Sequence, residues 1–148
     1  NNYVDATKVT SAFYQTSRSH RDIGTPPSTL VNPLPGCPVQ YSGRTTGHNT
    51  GTVSAINVTV VVPATGGYCC GQVVMKDQIS FKPRFTIMGG DSGSGLLIDI
   101  PSQASLDNRL TGLVFGYDGT LGYANNISRV LTALNVTLDF TRCGFPSQ

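Results

Sequence analysis

The sequence predicts an all-β domain, either a small sandwich or a six-stranded barrel, followed by one short helix near its C-terminal end. Its 148 residues are enough for one hydrophobic core but not for two. Glutamate is absent, only three lysines occur, and glycine, threonine, valine and serine are abundant, which favours short strands and tight turns over long helices. Turn residues separate six apolar runs, at residues 52–62, 71–75, 79–87, 95–100, 110–116 and 120–124.

The predicted helix follows the last of these runs. Apolar residues recur there at helical spacing, and Asn125 or Asn126 can cap the first turn. The apolar positions are Ile127, Val130, Leu131 and Leu134.

The first 38 residues differ in texture from the rest. Residues 1–13 alternate weakly and predict one strand, whereas residues 14–38 are polar and rich in proline, which is typical of a linker. The chain opens on Asn1 with no signal peptide, so we expect a processed chain or a fragment. We expect no transmembrane helix and no nucleic-acid partner, because no long apolar stretch occurs and the basic residues are scattered around a net charge of +2.

The cysteines and asparagines predict a secreted protein with covalent modifications. Four cysteines suit a secretory compartment, and three pairings among them are possible. A bond between the adjacent Cys69 and Cys70 would be strained, so we expect each to pair with Cys37 or Cys143. Three Asn-x-Ser/Thr sites are candidates for glycosylation, at Asn57, Asn126 and Asn135. The spacing of cysteine and histidine does not fit a metal site, and we expect no metal and no cofactor.

Residues 89–95, with the sequence Gly-Gly-Asp-Ser-Gly-Ser-Gly, are the segment in which chemistry is predicted. A serine on a tight glycine-rich turn can be an exposed nucleophile, and the N–H groups of Gly90 and Ser92 can converge as an oxyanion hole. Two alternatives are a plain hairpin turn and a phosphate-binding loop, although no lysine follows as a phosphate loop requires.

The motif Gly90-Asp91-Ser92-Gly93 resembles the nucleophile segment of chymotrypsin-like serine proteases. Residues 39–47 and 51–53 are similar to the opening strands of the second barrel in bacterial α-lytic and streptogrisin-type members. Residues 111–116 resemble the strand that lines the substrate cleft, and residues 122–134 resemble the last strand and C-terminal helix. The resemblance implies a six-stranded antiparallel Greek-key barrel over residues 39–148.

The resemblance also implies the other members of a catalytic triad. Asp5, in residues 1–13, corresponds to the triad aspartate at the end of the first barrel, with residues 14–38 linking the two barrels. The catalytic histidine would precede Asp5, where this chain has no residues that could supply it. His20 and His48 lie in the linker and in a barrel turn, and we expect neither to replace it.

The resemblance predicts an uncharged substrate pocket. Thr86 corresponds to the residue at its base, and Phe115, Gly116 and Gly122 correspond to its walls. Two departures from the family stand out: Met88 replaces a cysteine of the animal enzymes, and Ser94 replaces a frequent glycine.

Two functions from different classes follow. In the first, the chain is the part of a secreted serine endopeptidase that carries Asp5 and Ser92, and the substrates are polypeptides. A second chain or segment supplies the catalytic histidine. Alternatively, it is a non-catalytic secreted binding or scaffold protein derived from a protease barrel, whose exposed apolar face is covered by a partner.

Overall fold

The computed structural model describes residue 23 and residues 30–66 and 69–137, with the backbone alone at residues 64–66, 69 and 70. Six strands close into an antiparallel barrel in the order β1-β2-β3-β6-β5-β4. This confirms the predicted all-β six-stranded barrel with its terminal helix. The elements are β1 Pro38–Gly43, β2 Gly47–Gly66, β3 Cys69–Pro83, β4 Gly95–Ile98, β5 Leu110–Tyr117, β6 Gly122–Asn126 and helix α1 Ile127–Leu134.

The barrel interior is filled by side chains that alternate along the strands. Tyr41 of β1 and Phe81 of β3 are fully buried and meet edge to face, with ring centroids 6.2 Å apart. The remaining buried members of the core are Val39, Val53, Ile79, Leu96, Ile98, Val114 and Ala124.

Strands β2 and β3 form a ribbon longer than the sequence pattern predicts. The apolar runs 71–75 and 79–87 were predicted as separate elements, but β3 is continuous and ends at Pro83. The polar residues between the runs accommodate a local irregularity of the strand, where Asp77 has a left-handed backbone with φ +58°. Beyond it the ribbon projects away from the core, and Val61 pairs with Val74. Four valines are exposed there, Val61, Val62, Val73 and Val74.

Strand β1 has no counterpart among the six apolar runs, because its buried stretch is short and includes the polar Gln40 between Val39 and Tyr41. Apart from Pro38 it falls within residues 39–47, where the family resemblance placed an opening strand. The end of the predicted linker packs on the barrel: the N–H of Val31 donates to the carbonyl of Leu110 (3.2 Å). The strand predicted at residues 1–13 and most of the linker lie outside the described residues.

Helix α1 begins and ends as the sequence predicts. The Asn126 side chain accepts from the N–H of Ser128 (3.0 Å), which selects Asn126 over Asn125 as the cap. Asn135 ends the helix in a left-handed conformation, which asparagine tolerates. In the part of the chain described, no helix is long and apolar enough to cross a membrane.

Candidate active site

The predicted nucleophile lies on a loop made of two consecutive turns between β3 and β4. The N–H of Asp91 donates to Met88 (3.1 Å), and the N–H of Ser94 donates to Asp91 (3.1 Å). The third position of each turn has a positive φ, +101° at Gly90 and +91° at Gly93, as a type II turn requires, and glycine adopts this conformation without strain. Ser92 is therefore exposed at the junction of the two turns.

Asp91 anchors this loop from inside the protein. Its side chain is fully buried, and its carboxylate accepts hydrogen bonds from the N–H groups of Met88 (3.0 Å), Thr45 (2.9 Å) and Thr46 (3.1 Å). Burial by itself raises the pKa of the carboxyl group, but the hydrogen bonds from Met88, Thr46 and Thr45 together outweigh it and lower the pKa below 3.8. The loop is thus tied to the turn between β1 and β2.

A second group of contacts fixes the segment that leads into the loop. Asn49 of β2 is buried and donates to the Phe85 carbonyl (2.8 Å) while accepting from the Phe85 N–H (3.1 Å). The N–H of Arg84 donates to the carbonyl of Thr50 (2.7 Å). Strand β2 therefore helps to position the segment that connects β3 to the loop.

The Ser92 hydroxyl faces the fifth strand. Its Oγ donates to the carbonyl of Phe115 at 3.3 Å, and the flanking Gly93 and Ser94 exchange backbone hydrogen bonds with Val114 (2.8 and 2.9 Å). The N–H groups of Gly90 and Ser92 have no acceptor among the described residues, so both are available to a ligand. In acyl transfer, an exposed hydroxyl can act as the nucleophile and neighbouring N–H donors can stabilise the oxyanion.

An open depression of about 470 Å³ lies beside Ser92. Among the described residues that line it, most are small and neutral, and Arg44 is the one with a charged side chain. The lining residues are Ser42, Gly43, Arg44, Gly90, Ser92, Gly93 and Ser94.

The fold of this barrel is similar to that of solved bacterial proteases. Cellulomonas bogoriensis chymotrypsin matches with a TM-score of 0.62 and 24% identity, over 81% of this chain and 59% of that chain. Thermobifida fusca protease A matches with a TM-score of 0.60 and 24% identity, over 80% and 60%. The chain has the chymotrypsin-like fold.

Nocardiopsis protease shows the same likeness, with a TM-score of 0.59 and 22% identity over 78% of this chain and 56% of that chain. The chain spans less than two thirds of the length of each of these relatives. By sequence, no family model and no curated protein matches it.

Within this chymotrypsin-like barrel, the residues predicted to form the substrate pocket lie in different surroundings. Thr86 is exposed on the segment before the nucleophile loop, and Phe115 is half-buried, with its ring centroid 6.3 Å from that of Tyr123. Gly116 faces open space. Gly122 instead faces the interior, where a Cβ would lie 2.6 Å from Ile87 Cδ1.

Of the predicted triad aspartate and the two histidines, only His48 lies among the described residues, and its hydrogen-bond partner is Gln40 and not Ser92. His48 is exposed on β2, and its Nε2 is paired with the Gln40 side-chain oxygen at 2.9 Å. Asp5 and His20 lie outside the described residues. Among the residues described, no group of three or more histidine, cysteine or acidic side chains could hold a metal.

The cysteine pairing predicted from sequence is restricted by the barrel. Cys37 precedes β1 and bonds to Val53 through its carbonyl, whereas Cys69 begins β3 opposite Gly66. Thirteen residues of extended strand separate those levels, roughly 43 Å, and a disulfide needs Cα atoms within about 7 Å. Within the described part of the chain Cys37 forms no disulfide, and this separation along the ribbon argues against a bond from Cys37 to Cys69 or Cys70, so the cysteine pairing stays a prediction. Cys143 lies outside the described residues.

The three predicted glycosylation sites differ in their surroundings. Asn57 is exposed at a left-handed position of β2, and Asn135 is exposed at the end of α1. Asn126 is half-buried and its side chain caps the helix.

Sequence reasoning missed the roles of Gly43, Arg44 and Asp91. All three were part of the motifs that carry the resemblance. No local pattern indicates that the turn after β1 contacts the nucleophile loop, which is more than 40 positions away in sequence. A signal did exist for Asp91, because an acid in a tight glycine-rich loop needs several hydrogen-bond donors if it is buried.

Proposed function

We propose that this chain is the serine-bearing part of a chymotrypsin-like serine endopeptidase that hydrolyses peptide bonds through an acyl-enzyme. The observation that carries the proposal is the exposed Ser92 on a double turn in a barrel of that fold, next to the N–H of Gly90, which has no acceptor in the described part of the chain. Ser92 is the nucleophile. The N–H groups of Gly90 and Ser92 stabilise the oxyanion.

In the reaction, Ser92 Oγ attacks the carbonyl carbon while its proton passes to a histidine. The tetrahedral intermediate collapses, the C–N bond breaks and the amine leaves with that proton. Water then attacks the ester, its proton passes to the same histidine, and Ser92 regains its hydrogen. Asp5 orients the histidine in this proposal.

The histidine comes from a second chain or segment. This is supported by the pairing of His48 with Gln40 and by the length of the relatives, of which the chain spans less than two thirds. In a well-studied serine protease, removal of the histidine costs on the order of 10⁶ in turnover, so we expect the separate chain to be almost inactive.

The pocket assignment extends the proposal to specificity. Thr86, Phe115 and Gly116 carry no charge, and the open space at Gly116 leaves room for a substrate side chain. Gly122 supports the pocket from behind by admitting Ile87. We propose that uncharged, apolar residues are preferred on the acyl side of the scissile bond. The protein acts outside the cell in this proposal, as the cysteines and glycosylation sites suggest.

A fluorophosphonate probe tests the proposal, because it reacts only with an activated serine. The chain is purified with the polypeptide that supplies the histidine, and labelling is located by peptide mass spectrometry. We expect Ser92 to be labelled, the Ser92→Ala variant to be silent, and the Ser94→Ala variant to be labelled as before. No labelling with the histidine-bearing polypeptide present would contradict the proposal and support the non-catalytic binding protein.

A further inference from the structure

The guanidinium group of Arg44 lies against the nucleophile loop. A Cβ built on Gly90 would be 2.6 Å from Arg44 Nη2 and 2.9 Å from Nε, so the absence of a side chain at Gly90 admits the guanidinium. The next residue fixes the backbone there: Thr45 donates through its N–H to Asp91 (2.9 Å) and through its hydroxyl to the carbonyl of Gly89 (2.7 Å). The guanidinium therefore lies against Gly90, whose N–H has no acceptor among the described residues.

The surroundings of Arg44 leave its charge available. Arg44 is exposed, and within the described ranges no carboxylate lies at ion-pair distance from it, whereas Arg129 pairs with Asp77 at 3.4 Å. The nearest acid in the loop, Asp91, is fully buried and occupied by three backbone donors. Since the other residues that line the depression are neutral, the depression is suited to an anion.

The side of Ser92 on which Arg44 lies indicates which part of a substrate it meets. Ser92 donates to the carbonyl of Phe115 on one side, and β5 carries Phe115 and Gly116 of the pocket that we proposed for the acyl side of the substrate. Arg44 reaches the loop from the turn between β1 and β2, and the depression it lines includes no residue of β5. A polypeptide that passes Ser92 from β5 therefore reaches Arg44 with its leaving-group part.

We propose that Arg44 binds a carboxylate on the leaving-group side of the scissile bond, a specificity that rests on the proposed endopeptidase function. The carboxylate is either an acidic side chain just after the scissile bond or the C-terminal carboxylate of a short leaving peptide. Arginine suits both, because its planar guanidinium can bind a carboxylate through two hydrogen bonds.

Binding to the Ser92→Ala variant, in complex with its histidine-bearing polypeptide, tests the subsite without turnover. Fluorescent peptides are compared in two pairs, aspartate against asparagine after the scissile bond, and a free C-terminal carboxylate against its amide. We expect the acid of at least one pair to bind about 1.5- to 5-fold more tightly, as is typical of exposed ion pairs. The preference should fall at about 1 M ionic strength, where the Debye length is about 3 Å.

Variants assign the preference to Arg44. Arg44→Gln should remove it, Arg44→Lys should retain part of it, and Arg129→Gln, which removes the same charge far from the loop, should leave it unchanged. Equal binding of acid and amide in both pairs, or a preference that survives Arg44→Gln, overturns the inference. Fluorophosphonate labelling of the protein with Ser92 intact is measured separately: labelling without an acid preference rejects the subsite alone, whereas an Arg44-dependent preference without labelling rejects the protease and leaves the anion site.

Discussion

The carboxylate of Asp91 occupies the space that a side chain on Gly43 would fill. A Cβ on Gly43 would overlap Asp91 Oδ1 and would lie 3.0 Å from the hydroxyl oxygen of Thr46. The end of β1 and the nucleophile loop therefore share one packed volume, although 48 positions of sequence separate the two residues. Their packing determines where Ser92 lies.

The Gly43→Ala substitution tests this relationship. We expect it to lower the free energy of unfolding by about 1–3 kcal/mol, because the buried carboxylate must move away from its donors. Urea unfolding measures the change. Gly89→Ala is the matched control, since Gly89 has open space around its Cβ position and lacks a positive φ. Equal costs at the two positions would contradict the overlap.

The Asp91→Asn substitution should lower stability in a pH-dependent manner. Asparagine retains one acceptor oxygen but places an NH₂ group where the carboxylate accepted, at a cost of about 1–3 kcal/mol near neutral pH. The folded-state pKa of Asp91 lies below 3.8, so the stability that its charge contributes is present above that pH and is lost as pH falls through the folded-state pKa. Urea unfolding at a series of pH values should show the difference between wild type and variant shrinking below about pH 4. A difference that stays constant would show that the Asp91 charge is not the cause.

The Gly122→Ala substitution should strain the contact behind the predicted pocket. The new methyl group would lie 2.6 Å from both Ile87 Cδ1 and Phe81 Cζ, and we expect a loss of about 1–3 kcal/mol. Ile87→Val removes the Cδ1 atom and should cost about 0.5–1.5 kcal/mol in the wild type but less in the Gly122→Ala background. A double-mutant cycle measures this coupling. Additive effects would place the strain elsewhere.

The Asn126→Ala substitution should destabilise helix α1 at its first turn. The loss of the bond to the Ser128 N–H should cost about 1 kcal/mol of unfolding free energy. Asn126→Ser removes the glycosylation site equally but preserves a capping oxygen, so it should stay close to wild type in unglycosylated protein. If the serine variant lost as much as the alanine variant, capping would not be the role of this side chain.

A short motif was enough to relate the loop at Gly89–Gly95 to a protease family. Local patterns also predicted several secondary-structure elements. The apolar spacing of residues 127–134 predicted helix α1 with its bounds, because helix periodicity and capping act within a few residues. The run at 110–116 likewise predicted most of β5. The continuous β3 was not predicted, because a left-handed residue such as Asp77 bends a paired strand without ending it, and only the partner strand reveals that the pairing continues.

The sequence by itself determined the all-β class, the helix and the presence of a serine on a glycine-rich turn, since these depend on composition and on neighbours along the chain. Only the tertiary structure decided how the loop at Gly89–Gly95 is held, with Asp91 in the space left by Gly43 and Arg44 in the space left by Gly90. Those contacts join residues more than 40 positions apart, which become neighbours only when the barrel closes. A site of this kind is defined by which backbone positions leave room for a distant side chain, and that information is not contained in any local stretch of sequence.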